Sequence, residues 1–172
     1  MKGMYHYIKQ AWKSPDIKVL RERMIEWRKS NSIVKVGKPL RLDRARSLGY
    51  KAKKGFVVVR VRVVRGGHKR PRPSKGRKIK NLTIRKTLSL NYKSIAEQRA
   101  QRKYKNLEVL NSYKIGKDGK HYFFEVILVD PQRNEIKNDK TMKWIADKKN
   151  KKRALRGLTS SSKTSRGLRG RE

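Results

Sequence analysis

The chain has 172 residues, a length that suits one domain, and carries 50 Lys and Arg against 13 Asp and Glu, a formal net charge of +37. Only 35% of its residues are hydrophobic, so part of the chain must lie outside any apolar core, and charge of this density requires a polyanion close by. It has no cysteine, which excludes disulfides, thiol catalysis and cysteine zinc sites, and its longest apolar run, residues 56–59, is too short to span a bilayer. The amino terminus lacks the apolar core of a signal peptide, so we expect an intracellular, nucleic-acid-bound protein.

The amino-terminal region predicts two helices with basic outer faces. Apolar residues within residues 4–12 are spaced as in a short first helix. Ser14 is the expected cap of a second helix, because Pro15 suits the first helical position. An apolar stripe at helical spacing follows, made of Ile17, Leu20, Met24 and Trp27. The basic residues opposite both stripes are most simply interpreted as a solvated face.

Residues 29–54 are basic and interrupted by glycine and proline, with a short helix expected over residues 42–48. The clearest strand follows over residues 56–65, with four valines on one face and Arg60 and Arg62 on the other. Two arginines on the back of an apolar strand are candidates for phosphate contacts, with solvent exposure as the equal alternative.

The next segment, residues 65–80, reads RGGHKRPRPSKGRKIK and contains no carboxylate. Glycine and proline prevent regular structure here, and the segment has no acidic residue with which to neutralise its own charge. We therefore predict an extended basic arm, spanning residues 65–93, that threads between phosphate backbones and is not ordered without its partner.

A capped helix and a hairpin are expected next. Residues 94–97 match the S-x-x-E capping box. Two strands, residues 107–115 and 122–129, are joined by a link that contains Asp-Gly, a strong hairpin signal. The second strand is apolar on both faces apart from Glu125, which predicts a central strand covered on both sides. We expect Glu125 to pair with an Arg or Lys.

The remaining residues divide into a short helix and a tail. The helix is expected within residues 140–147, with Met142, Trp144 and Ile145 packing inward. Residues 148–171 then carry ten basic residues and no acidic one. We therefore expect one nucleic-acid-binding domain of helices and strands over residues 1–147 and a basic tail over residues 148–172.

The sequence contains no arrangement of residues typical of catalysis or of metal binding. The three histidines are far apart and lack the spacing of metal ligands, and no phosphate-binding glycine motif is present. No pair of carboxylates stands in a basic setting that would hold Mg²⁺. We therefore expect neither an enzyme nor a cofactor.

Two stretches carry a specific resemblance to a known family. They read LGYKAKKGFVVVRVRVVRGGHKRPRPSKG (residues 48–76) and LEVLNSYKIGKDGKHYFFEVILVDPQRNEI (residues 107–136). With SIAEQRA and RGLTSSSKTSRGL, they resemble the archaeal and eukaryotic large-subunit ribosomal protein fifteen-e family over nearly the whole chain. The exception is residues 79–91, which lack the glycine-containing sequence expected of the family. The resemblance implies an α+β fold with an antiparallel sheet, helices packed on it and long basic extensions. It also implies a cytoplasmic, structural constituent of the large ribosomal subunit.

The expected RNA contacts are basic and aromatic side chains of the strand, the arm, the segment before the strand, and the tail. They are Arg60, Arg62, Arg65, His68, Lys69, Arg70, Arg72, Lys75, Arg77, Tyr50, Lys51, Lys53, Lys54, Arg156, Arg166 and Arg169. Cations would neutralise phosphates, whereas a tyrosine would stack on an exposed base. The expected partners are large-subunit ribosomal RNA and neighbouring large-subunit proteins, with no membrane, no small-molecule substrate and no second copy of the chain.

Two other functions stay open on the sequence. The charge permits an architectural DNA-binding protein, although such proteins are usually helical or dimeric modules. An RNA-processing enzyme is the second alternative, and a loss of activity on carboxylate substitution would identify it.

Overall fold

A four-stranded antiparallel sheet organises the chain. The computed structural model describes residues 2–67, 76 and 88–169. Its strands are β1 (Ile33–Val36), β2 (Phe56–Val64), β3 (Glu108–Lys117) and β4 (His121–Val129), in the spatial order β1-β2-β4-β3. The α-helices are α1 (Met4–Ala11), α2 (Ile17–Lys29), α3 (Leu42–Ser47), α4 (Tyr92–Lys103), α5 (Asn134–Lys137) and α6 (Ser160–Ser165), with 3₁₀ helices at Lys143–Ala146 and Lys148–Asn150. The predicted α+β fold with an antiparallel sheet is confirmed.

Strand β4 lies at the centre of the sheet, between β2 and β3, because both of its faces are apolar. Phe123, Ile127 and Val129 belong to one buried apolar cluster, and Phe124, Val126 and Leu128 belong to a second cluster. A strand of this kind is stable only where both faces are covered. The predicted central position is confirmed.

Helix α2 covers the first cluster with Met24 and Trp27, both buried. The ring of Trp27 packs edge-on against Phe123 with centroids 5.2 Å apart. Two members of the predicted apolar stripe are therefore core residues, whereas Ile17 is 63% exposed at the start of the helix.

The amino-terminal end of α2 differs from the prediction. The carboxylate of Asp16 accepts a hydrogen bond of 2.8 Å from the backbone N–H of Lys18, so Asp16 is the cap. The prediction that Ser14 caps this helix is wrong, because a carboxylate nearer the free amides satisfies them instead.

Helix α4 covers the second cluster with Ala96 and Ala100, which have no exposed surface. Its cap is Asn91, whose side-chain oxygen accepts a hydrogen bond of 2.8 Å from the backbone N–H of Ser94. The capping-box prediction is wrong, because Ser94 and Glu97 lie within the helix, where both side chains are buried.

Two predictions about buried side chains need correction. Glu125 accepts hydrogen bonds from the Tyr113 hydroxyl at 2.5 Å and from the Leu40 N–H at 3.1 Å, and not from the expected Arg or Lys side chain. In the segment 140–147, Met142 and Ile145 are buried as predicted, but Trp144 remains 38% exposed. The Arg153 guanidinium stacks over the Trp144 ring, 4.9 Å from its centroid.

Residues 148–169 contact the sheet domain. Ala154 and Thr159 in this segment are fully buried, and α6 packs on α4. The division of the chain at residue 147 remains a prediction, but residues on its carboxyl-terminal side contribute to the buried part of the domain.

Candidate nucleic-acid interface

The two arginines of β2 face α2. The guanidinium of Arg60 stacks over Trp27, 5.2 Å from the ring centroid, and donates a hydrogen bond of 3.1 Å to the Ser30 hydroxyl. Burial lowers the pKa of Arg60. The guanidinium of Arg62 donates to the backbone carbonyl of Arg28. Both side chains are half-buried, and each guanidinium donates one hydrogen bond within the domain.

Arg65 holds the hairpin that lies beside the end of β2. Its backbone N–H donates to the carbonyl of Lys120 at 2.8 Å, and its guanidinium donates to the carbonyl of Asp118 at 2.9 Å. The guanidinium also stacks over Tyr122, 5.2 Å from the ring centroid. Arg65 therefore holds the hairpin through these contacts. Because its side chain is also exposed, it remains accessible to a ligand.

The two ends of the predicted arm meet at one point of the domain. The backbone N–H of Gly66 donates a hydrogen bond of 2.8 Å to the hydroxyl of Tyr92. The Tyr92 ring packs against Tyr122, with centroids 4.6 Å apart. Tyr122 therefore contacts both ends, because it also lies under Arg65.

Helix α6 fixes the carboxyl-terminal end of the arm. The Asn91 side chain donates to the carbonyl of Ser161 at 2.9 Å and accepts from the Ser161 hydroxyl at 2.7 Å. The backbone N–H of Asn91 donates to the Ser165 hydroxyl at 3.0 Å. We call this set of contacts, together with the Gly66–Tyr92 hydrogen bond, the arm clasp.

Six of the predicted contact residues lie outside the described residues. They are His68, Lys69, Arg70, Arg72, Lys75 and Arg77. The predicted lack of order without RNA covers residues 65–80, most of which also lie outside the described residues, so both remain predictions.

Two of the three lysines predicted as contacts before β2 are bound to a carboxylate of the domain, and the third is exposed. The ammonium groups of Lys51, at 2.8 Å, and Lys53 both bond the carboxylate of Asp139. These two bonds hold the pKa of Asp139 well below its usual range. Lys54 is exposed and has no ion-pair partner within the described ranges.

Tyr50 does not stand free as a stacking platform. It is half-buried, packs on the first apolar cluster, and meets Phe56 edge-on with centroids 5.9 Å apart. Its ring therefore belongs mainly to the core.

The predicted tail contacts are exposed but bonded within their own segment. Arg156 donates to the carbonyl of Lys149 at 2.8 Å, and Arg166 donates to the carbonyl of Gly157 at 3.2 Å. Arg169 donates to the Ser160 hydroxyl at 2.7 Å. These three guanidinium groups lie on the surface of the α6 segment, with part of each donor fork engaged.

A buried carboxylate joins the α6 segment to the sheet. Glu97 accepts hydrogen bonds from the hydroxyls of Ser112, at 2.5 Å, and Thr159, at 2.6 Å. The Ser162 hydroxyl extends this network to Thr159, at 3.0 Å, and to Ser94, at 2.7 Å. Burial raises the pKa of Glu97, although its hydroxyl partners oppose the shift. We call Glu97 and these four hydroxyl residues the Glu97 network.

Sequence reasoning missed two kinds of arginine. Arg153 donates to the carbonyls of Val109 and Leu110 at 2.7 and 2.8 Å, a structural role that no local pattern indicates. Arg99 and Arg102 lie exposed on α4, and Arg99 shares a cavity of about 330 Å³ with Arg65. Their three-residue spacing on the solvent face of a predicted helix was the available signal.

The described part of the chain offers no group of three or more His, Asp or Glu side chains that would hold a metal ion. Within the same part, no helix is both long enough and apolar enough to cross a membrane.

A family model described as Ribosomal L15, the L15e model, matches residues 3–172, essentially the whole chain. This family is a structural class of cytoplasmic ribosomal proteins in the large subunit, and membership implies ribosomal RNA and other ribosomal proteins as partners. The chain therefore belongs to the ribosomal L15e family and is a large-subunit ribosomal protein that functions in translation.

Proposed function

We propose that this protein binds folded large-subunit ribosomal RNA and stabilises it through its basic arm, without catalysing a reaction. The observation that carries the proposal is the arm clasp. Residues 68–87 contain nine Lys and Arg and no acid, and they are bracketed by two ends that are fixed to each other at 2.8 Å. A domain that fixes both ends of such a segment determines the place on its surface at which the basic segment begins and ends.

The charges of the folded part support a division of labour. Arg60, Arg62, Lys51 and Lys53 are engaged by acceptors within the protein. The nine Lys and Arg of residues 68–87, with no acid among them, lie between the two ends held by the clasp. Phosphate neutralisation and release of counterions by these residues supply the affinity.

Shape supplies the selectivity for RNA. The deep major groove of an A-form helix excludes side chains, so a thin segment rich in glycine and proline is suited to crevices between helices. Exposed Arg65, Arg99 and Arg102 extend the basic surface from the clasp along α4.

The test compares two matched triple variants of the full chain. One replaces Arg70, Arg72 and Arg77 by Gln, and the other replaces Arg156, Arg166 and Arg169 by Gln. Affinity for a large-subunit ribosomal RNA fragment is measured over a range of salt concentrations. Each lost phosphate contact should reduce the salt slope by roughly 0.7–0.9.

We expect the arm variant to lose roughly two to three units of slope. The tail variant should lose less, because its guanidinium groups are partly engaged by carbonyl and hydroxyl oxygens. Equal losses would contradict the proposal. Stronger competition by duplex DNA than by structured RNA would favour an architectural DNA-binding protein instead.

A further inference from the structure

A cavity of about 370 Å³ opens on a part of the surface that the arm clasp does not include, beside the start of β3 and the end of β4. Pro131, Ile145 and Ala146 contribute apolar surface to its wall. Its volume falls at the lower end of the roughly 300–1,000 Å³ typical of small-molecule pockets. The cavity is therefore large enough for one flat heterocycle rather than for a peptide.

Glu108 lines this cavity and is only 5% exposed. One of its carboxylate oxygens, Oε1, accepts a hydrogen bond of 2.9 Å from the backbone N–H of Lys152. The other, Oε2, is buried and has no hydrogen-bond partner among the residues that the structure describes. A buried acceptor without a donor is unfavourable, and an N–H or O–H group from a water molecule or a ligand would satisfy it.

Four lysines also line the cavity. Lys105, Lys137, Lys148 and Lys151 are exposed, and none of them forms an ion pair within residues 2–67, 76 and 88–169. The cavity thus combines an apolar wall, a buried acceptor on a lining residue, and cations that reach solvent, together with the exposed carboxylate of Asp147, which pairs with Lys149 at 3.3 Å. A nucleotide has the complementary arrangement, because its base has apolar faces and N–H groups at its edge and is linked to a phosphate.

We propose that this cavity binds one unstacked base of the RNA, and that the base carries an exocyclic amine, as cytosine does. The inference rests on the proposed function, since the base belongs to the bound RNA. The amine donates to Oε2 of Glu108, the ring packs on Pro131 and Ala146 next to buried Ile145, and the lysines contact the adjacent phosphates. A carboxylate accepting from the cytosine N4 amine is an established form of base recognition.

The first test uses cytidine and uridine, which share a pyrimidine ring but differ at position 4, where one has an amine and the other a carbonyl. Both are uncharged, so the net charge of the chain does not favour either. Each is titrated into the full chain while the NMR signals of the Ile145 methyl groups and the Lys152 amide are followed. We expect cytidine to bind about tenfold more tightly, the value of one hydrogen bond to a charged acceptor.

Glu108→Gln supplies the matched protein variant. Its amide oxygen retains the Lys152 hydrogen bond, and its NH₂ group replaces Oε2, so the preference should change from cytidine to uridine. An unchanged spectrum outside the cavity shows that the variant is folded. If it does not fold, the comparison of the two nucleosides on the unaltered chain decides the question alone.

Equal affinity for the two nucleosides, or no shift of the Ile145 signals with either, would overturn the proposal. Binding of the same sample to the ribosomal RNA fragment is measured in parallel. Retained RNA binding without nucleoside selectivity refutes the base pocket and leaves the proposed function intact. Absent RNA binding with cytidine selectivity retains the pocket and refutes the wider proposal.

Discussion

The hydroxyl of Tyr92 accepts a 2.8 Å hydrogen bond from the backbone of Gly66, 26 residues earlier in the chain. This single bond joins the first residue of α4 to the segment that leaves β2. One side-chain oxygen atom therefore joins the two described ends of the predicted arm directly.

Replacing Tyr92 by Phe should weaken RNA binding through the arm by a factor of roughly five, because a hydrogen bond of this kind contributes about 1 kcal/mol. The variant retains the ring that packs against Tyr122. The measurement is the dissociation constant for a large-subunit ribosomal RNA fragment, with the full chain and with a chain that lacks residues 68–87. The effect should vanish in the shorter chain. Tyr104→Phe is the control, since the Tyr104 hydroxyl has no hydrogen bond within the described residues. An equal loss in both chains would contradict the role of the clasp.

Glu97→Gln should change how stability depends on pH. Burial raises the pKa of Glu97 above its ordinary value of 4.5, so the folded state holds this proton more tightly than the unfolded state. The associated stability is complete below pH 4.5 and is lost as the pH rises through the raised pKa. Glutamine cannot titrate, so the free energy of unfolding of Glu97→Gln should increase relative to that of the unaltered chain as the pH rises through that window. Urea unfolding at a series of pH values measures it, and parallel curves for the two proteins would refute the assignment.

Lys51→Gln should affect the stability of the fold, whereas Lys54→Gln should affect RNA binding. Lys51 bonds Asp139 and the Thr141 hydroxyl, so its loss should lower thermal stability and leave the salt slope of RNA binding unchanged. Lys54 is exposed, so its loss should leave stability unchanged and reduce the slope by roughly 0.7–0.9 if it contacts a phosphate. Thermal unfolding and binding isotherms on the same samples distinguish the two. A reduced slope for Lys51→Gln would show that its bond to Asp139 opens on RNA.

Arg153→Met should lower the free energy of unfolding by about 1–3 kcal/mol, because the carbonyls of Val109 and Leu110 lose a charged donor. Methionine retains part of the apolar stem that lies against Trp144. Arg156→Met is the matched control, since Arg156 is exposed and bonds only carbonyls of its own segment. Chemical denaturation should separate the two variants by more than 1 kcal/mol. Similar losses would mean that the two backbone hydrogen bonds of half-buried Arg153 add no more stability than those of an exposed arginine.

Hydrophobic periodicity was sufficient to predict β2 and α2, whereas the Asp-Gly link and a run that is apolar on both faces predicted the hairpin of β3 and β4. It was insufficient for β1, which has four residues, none of them buried, and lies in a basic stretch. The antiparallel partner of β1 is β2, and that pairing has no local signature.

The α6 segment could not have been predicted from its own composition. A cluster of Ser and Thr among glycines and arginines is typical of a solvated tail. Here Thr159 and Ser162 are buried because their hydroxyls find Glu97 and Ser94, more than 60 residues away. Ser94 and Glu97 match the pattern of a capping box for a related reason. The local sequence does not show whether the Glu97 carboxylate bonds the start of its own helix or, as here, hydroxyl groups of other elements.

The Glu97 network also determines the order in which contacts can form while the chain is being synthesised. Thr159 is made 62 residues after Glu97, which corresponds to roughly 3–12 s at about 5–20 residues per second. During that interval the carboxylate lacks one of its two hydroxyl partners, and Asn91 lacks the helix that fixes it. The hydrogen bonds that join Asn91 to Ser161 and Ser165 can therefore form only after both serines have left the ribosome that makes the chain, so this half of the arm clasp closes later than the sheet that supports it.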